Sequence, residues 1–322
     1  LIPINCCAEI LWWAAFELAE VEAGHGHPSH RSALGAAFEG EAAVSRIRIA
    51  YLPLMTYPDV VSNDSVLAAV AFAAALGCEL HATTFSVDIP HLTSPLARLL
   101  IDIPGLIRTT QENSRAHGNR LQSLVLEAAR PRIRAHCSNR EVMIGTAAEV
   151  AAGEARYFDL ALLPWSKGDL VTQALAQAVV FGAGRPSILV PPSASSAPID
   201  HLAIAWDESR VAARALADAL SIVADGNRIT VLTVQDEKPL PGQNVAETLA
   251  SSLERRGFRA EAQHIILGRR PIAEALQDAA MEAGAALLAM GGFGHSRIRD
   301  FILGGATKGV LADLRLPVLL SH

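Results

Sequence analysis

The stretch AALLAM at residues 285–290, followed by Gly291-Gly292-Phe293-Gly294, nine further residues, Gly304-Gly305 and, at 316–321, LPVLLS, decides how this chain folds. Both outer runs are short, continuous and apolar, the pattern of parallel strands buried on two faces. The segment therefore reads as strand, glycine loop, helix at 306–314, strand. Glycines at 291 and 294 are expected to bend the backbone through positive φ and to let an anion approach bare amides. The glycine pair that opens the helix sets N–H groups and the positive end of the helix dipole beside that loop. Such an arrangement holds phosphate without a lysine clamp.

Working outward, the same unit occurs twice. A strand at 48–53, a helix at 63–77 capped by Asn63 or Asp64 and stopped by Gly77, and a strand at 79–87 return as 201–206, 209–224 and 228–235. A helix at 146–156, strand at 160–163, helix at 173–181 and strand at 187–190 return as 270–283, 285–290, 306–314 and 316–321. Between these blocks a long helix ending at Arg130 and a strand near 132–137 correspond to 245–257 and 259–267. Alternation at these lengths implies βαβ units and a mostly parallel sheet. Residues 191–198, PPSASSAP, have the composition of an extended connector. The expected organisation is a tail at 1–44, a domain at 45–190, a linker at 191–198 and a domain at 199–322, in keeping with a length of 322 residues.

The pattern Gly291-x-x-Gly294, nine residues, Gly304 and a small residue resembles the nucleotide loop of the universal stress protein family. The resemblance covers about 46–322 as a tandem pair and is stronger in the second copy. It implies two tandem five-stranded, mostly parallel α/β sheets with helices on both faces, the adenine nucleotide alpha hydrolase-like sandwich. It places nucleotide at the carboxyl ends of the central strands, where the general rule for open α/β sheets also places ligands. In ATP-binding members the residue after the third glycine is Ser or Thr, whereas here it is Gly305, which keeps a backbone donor and removes a hydroxyl. The resemblance matches Asp207 to the aspartate that contacts adenosine and Val234 to the position whose backbone lines the adenine pocket. Asp207 or Ser209 also reads as a plain helix cap.

Arg297 and Arg299 have the fork geometry that pairs with phosphate oxygens, and they read equally as an exposed basic face. The expected nucleotide-binding set is Asp207, Val234, Gly291, Gly294, Arg297, Gly304 and Gly305, with ATP or AMP as ligand and Mg²⁺ accompanying ATP. No Walker lysine follows the glycines and no paired carboxylates or general base stand ready, so a binding module with slow or no hydrolysis is expected rather than an enzyme. His295-Ser296 is not a nucleophile elbow, because Ile298 stands where the second glycine belongs. The first copy has Pro164-Trp165-Ser166-Lys167-Gly168-Asp169 in place of the glycine loop, and no aspartate where its first strand ends. It is expected to keep the fold, lose the site, and pack against or regulate the other copy. The alternative is an interaction protein of the same fold. In that reading the last strand pairs with 187–190 across a pseudo-twofold, as the resemblance suggests, and a homodimer is a further form.

Charge and composition narrow the rest. A net charge of −6 and 5% aromatic residues argue against a general nucleic-acid binder. The longest apolar run, 66–76, is too short to span a membrane. Four cysteines without CxxC or zinc-type spacing indicate a reducing, cytoplasmic setting. Residues 1–44 carry four glutamates before their first basic residue, Arg31, unlike a secretory leader. The histidines between 25 and 30 read as a solvated loop, and this tail stands outside the functional reading.

Overall fold

A computed structural model of the chain describes residues 47–90, 102–224, 226–237, 242–292 and 305–322. In chain order the first half contains β1 (Ile49–Met55), α1 (Asn63–Ala75), β2 (Glu79–Asp88), α2 (Ile103–Ala129), β3 (Ala135–Met143), α3 (Ala147–Ala155), β4 (Leu160–Pro164), α4 (Leu170–Gly182) and β5 (Ser187–Val190). The second half contains β6 (His201–Ala205), α5 (Arg210–Ile222), β7 (Arg228–Val234), α6 (Val245–Arg255), β8 (Arg259–Ile265), α7 (Ile272–Glu282), β9 (Leu287–Gly291), α8 (Gly305–Ala312) and β10 (Val318–Ser321).

The strands form one ten-stranded sheet in the order β3-β2-β1-β4-β5-β10-β9-β6-β7-β8. Each half is a parallel, doubly wound sheet, and the strand order reverses between β1 and β4 and again between β6 and β9. The halves join through β5 and β10, which run antiparallel with Leu319 opposite Ile188. The pairing of 187–190 with the last strand is thus present, and it merges the two expected sheets into one. Both strands are wholly buried, so neither edge is left open at the seam.

Helices cover both faces, and each face has one continuous core running through both halves. Leu52, Leu121 and Val125 share a cluster with Leu216, Val231 and Leu253 under α1, α2, α5 and α6. Leu163, Val179 and Leu189 share the other with Leu276, Val310 and Val318 under α3, α4, α7 and α8. The periodicity of α5 shows how the sequence builds such a layer. Ala212, Ala215, Leu216, Ala219 and Ile222 are its buried residues, spaced so that one stripe meets the sheet. Arg48 adds a tie between the halves by donating to the carbonyl of Ser221 at 2.8 Å.

Two elements differ from expectation. The cap of α1 is Ser62, whose hydroxyl accepts from Ser65 N–H, rather than Asn63 or Asp64. The third strand runs from Ala135 to Met143, beyond the expected 132–137, and pairs with β2 from Leu80 to Asp88. Its polar run Ser138-Asn139-Arg140-Glu141 belongs to the outermost strand, where charge and polarity discourage edge-to-edge association. Among the described residues no helix is long and apolar enough to cross a membrane.

Candidate functional site

The place where ligands bind in open α/β sheets lies, in the second half, where β6 and β9 end at the reversal of strand order. The chain leaving β6 is fixed from both sides: Trp206 N–H donates to Leu232 O at 2.8 Å, and Thr233 Oγ1 donates to Trp206 O at 3.0 Å. Asp207 follows, half-buried, and its Oδ1 accepts from Ser209 N–H at 3.0 Å. Ser209 is the cap of α5, accepting from Ala212 N–H at 3.2 Å. Asp207 therefore makes an Asx-type turn two residues ahead of the cap, which fixes its carboxylate just beyond the end of β6. Glu208 between them has φ +59°, a left-handed conformation that costs a non-glycine residue free energy and sharpens the bend.

Val234 closes β7 in register with Ile265 and is buried. Beyond it, Asp236 accepts from Leu267 N–H at 2.7 Å and Gly268 N–H at 3.0 Å, joining the loop after β7 to the loop after β8. These two amides hold its carboxyl below the ordinary value. Sequence reasoning does not single out Asp236. Its only signal is an acidic residue directly after a strand.

Gly291 ends β9, and its reason for being glycine differs from the expected one. It is not among the positive-φ glycines. A Cβ there would lie 2.7 Å from the backbone carbonyl carbon of Val211 and 2.7 Å from its Cγ2, so the first turn of α5 lies against bare backbone. Gly292 then donates to Ser321 O at 2.7 Å as the last rung between β9 and β10. Its amide is thereby engaged and is not one of the bare donors. Gly305 opens α8 and is exposed, and among the described residues the nearest atom to a Cβ added there is Ile272 Cγ2 at 4.0 Å. Gly294, Arg297 and Gly304 lie outside the described residues, as does Arg299. The structure thus sets Asp207, Val234 and Gly291 on three neighbouring strand ends, with Gly305 at the start of the following helix.

The first half supplies an internal comparison. At the lower end of the sheet, Asp159 N–H donates to Ile49 O as Ala286 N–H donates to His201 O. At the upper end, Trp165 N–H donates to Val190 O as Gly292 N–H donates to Ser321 O. With those rungs matched, Asp207 corresponds to Met55, Val234 to Phe85, Gly291 to Pro164 and Gly292 to Trp165. Trp165 and Phe85 are nearly inaccessible, and Trp165 occupies the core. What remains at this end is a shallow cleft walled by Met55, Val61, Pro164 and Leu175 and edged by Asp59 and Asp169. Asp169 caps α4 through the N–H groups of Val171 and Thr172. Bulky apolar walls and acidic edges make it unsuited to a phosphate.

Among the described residues no group of His, Cys, Asp and Glu could hold a metal ion. Cys78 and Cys137 are free thiols, and burial pushes Cys78 up to about 11 and Cys137 in the same direction. Neither carries the low-pKa signature of a reactive cysteine.

The molecule is therefore a pair of doubly wound α/β units whose second copy alone keeps small residues at its reversal point. Residues 198–322 match the family model described as Universal stress protein family. The fold of both halves is shared with a universal stress protein from Archaeoglobus fulgidus DSM 4304, 17% identical, with 84% of this chain and 97% of that chain covered and a TM-score of 0.61. A protein of the family from Burkholderia pseudomallei is 23% identical over 38% of this chain and 95% of its own, with a TM-score of 0.28. A universal stress protein in complex with cAMP is 20% identical over 38% of this chain and 97% of its own, with a TM-score of 0.29. The chain matches no curated protein sequence.

Proposed function

We propose that the C-terminal half binds an adenine nucleotide, ATP or AMP, as a regulatory ligand and that the N-terminal half is its structural and regulatory companion. The observation that carries this reading is the contrast between matched positions. Asp207, Val234, Gly291 and Gly292 stand where the first half has Met55, Phe85, Pro164 and Trp165. Ligands in open α/β sheets take the place outside a strand-end reversal, and the second half carries a carboxylate and two glycines there. A carboxylate at the mouth suits the hydroxyls of a ribose. The glycine loop and the first turn of α8 suit phosphate, with Gly294, Arg297, Gly304 and Gly305 completing the assigned set. Mg²⁺ accompanies the phosphates of ATP in this reading. The nucleotide acts as a ligand and not as a substrate, since Asp207 is held by Ser209 and no second carboxylate is assigned beside it.

The seam between β5 and β10 supports pairing within one chain, and the free thiols fit a reducing, cytoplasmic setting. Calorimetric titration of the purified chain with ATP, AMP and adenosine tests the proposal. Saturable binding that is lost in Asp207→Ala supports it. No heat from any of the three contradicts it and favours the interaction reading, in which the crevice is unused.

A further inference from the structure

The two copies finish their second strand differently. In the first half β2 stays paired with β3 as far as Asp88 and Met143, and side chains close the main-chain groups beside it. Thr56 Oγ1 donates to Phe85 O at 2.7 Å, Thr56 Oγ1 and Ser114 Oγ lie 2.6 Å apart, and Ser114 Oγ accepts from Val87 N–H at 2.9 Å. The long helix α2, which carries Ser114, thus seals the end of that strand. In the second half β7 and β8 part after Val234 and Ile265. The position matching Val87 is Asp236, and there a carboxylate makes the tie: one oxygen accepts from Leu267 N–H at 2.7 Å and the other from Gly268 N–H at 3.0 Å.

This clamp holds one side only. Gln235 N–H donates to Ile265 O at 3.0 Å, so residues 235 and 236 are both tied toward β8. Successive peptide groups along a strand face opposite neighbours, and Val234 therefore turns its N–H and C=O to the side where β6 has ended. Trp206 O, the acceptor that a longer β6 would offer to Val234 N–H, is taken by Thr233 Oγ1 at 3.0 Å. Among the described residues no loop or side-chain group donates to Val234 O, whereas Phe85 O at the matching place is closed by Thr56. A main-chain donor and acceptor are left facing the chain that carries Asp207.

We propose that Asp236 is a positioning residue for the base end of the nucleotide site, holding the Val234 backbone in the direction that reads adenine. The inference rests on the nucleotide reading above and extends it to base selectivity. The Watson–Crick edge of adenine offers an acceptor at N1 and a donor at N6, the complement of one main-chain N–H and C=O, and guanine offers the reverse order. A strand end that has lost its neighbour on one side keeps its direction only if the other side holds it, and recognition by main-chain groups needs those directions set beforehand. Charge-assisted bonds to both oxygens of one carboxylate do so. Asp236 is exposed, so its effect falls on the local backbone and little on global stability.

The test titrates the full chain separately with adenosine and with guanosine, and measures the urea midpoint of each variant. The wild type is expected to prefer adenosine. Asp236→Ala is expected to weaken adenosine about tenfold, leave guanosine within about twofold and move the midpoint little. Asp236→Asn, whose amide oxygen accepts one of the two N–H groups, is expected to weaken adenosine about threefold. If the wild-type chain binds adenosine and the alanine variant binds it equally well, the clamp is refuted while the nucleotide reading stands. Equal weakening of adenosine and guanosine also refutes it, because a general loss of structure leaves their ratio unchanged. Equal affinity of the wild type for the two nucleosides refutes it as well. A wild-type chain that binds neither adenosine nor ATP overturns both readings together.

Discussion

Gly292 and Trp165 hold the same place in the two halves: the first donates to Ser321 O at 2.7 Å and the second to Val190 O at 2.9 Å. One backbone rung is built twice, once with no side chain and once with the largest one. Trp165 is 1% exposed and fills the first half's core, whereas Gly292 is buried with Ser321 O, Phe181 Cε1 and Val180 Cγ1 3.5–3.7 Å from where its Cβ would stand.

Two adjacent glycines should respond differently to alanine. Gly291→Ala places a methyl 2.7 Å from the Val211 backbone, which must shift, and is expected to cost about 1–3 kcal/mol. Gly292→Ala meets only ordinary contacts, the nearest being Ser321 O at 3.5 Å, and is expected to cost under about 0.5 kcal/mol. Urea denaturation of the two variants checks the contrast.

The repeat made most of the fold legible, because alternating apolar runs and helical stripes recur in the same order on both sides of 191–198. Pairing of the last strand with 187–190 is what the family resemblance suggests for two short apolar runs, and the structure has it. The polar half of β3 was not legible, since a sheet edge is chosen by topology and Ser138 to Glu141 carry no strand pattern of their own. At the candidate site, motif spacing points to Gly291 and the family resemblance to Asp207, but the need for glycine at 291 is not a local one. Close approach of Val211 is a contact between residues distant in sequence, and local sequence reports only that glycine is present.

Two continuous cores should make the halves unfold together. Calorimetry is expected to show a single transition. Leu319→Ala, at the centre of the seam opposite Ile188, is expected to lower stability by about 2–5 kcal/mol. Two separate transitions in the wild type would mean that the seam couples the halves weakly.

Stability should fall on mild acidification through His201. Burial first, and the Arg228 guanidinium second, hold this histidine below its ordinary value of 6.5, against the opposing pull of Glu261 and Asp200. The unfolded chain takes up a proton near pH 6.5 while the folded chain resists it, so this contribution is complete above that pH and declines below it. His201 Nε2 pairs with Thr230 Oγ1 at 2.8 Å, and His201→Gln keeps a polar partner while removing the ionisation. Urea midpoints across the acid range should then decline less steeply. The slope is reduced and not abolished, because burial shifts His81 in the same direction.

Gly305 offers a gain-of-function test. It is exposed, and among the described residues the nearest atom to a Cβ there is 4.0 Å away, so serine meets no clash with them. Gly305→Ser restores a hydroxyl at the start of α8 and is expected to strengthen ATP binding by about threefold to tenfold, the worth of one hydrogen bond. Adenosine binding should stay unchanged, and titration with both ligands decides.

The central claim, that only the second copy keeps an anion cradle and that it holds an adenine nucleotide, is tested most directly by native mass spectrometry of the purified chain after incubation with ATP. The predicted spectrum shows the mass of a single adenine nucleotide added to each chain, lost on denaturation and absent from Asp207→Ala. A spectrum of bare protein at saturating ATP, or two nucleotides per chain, contradicts the account.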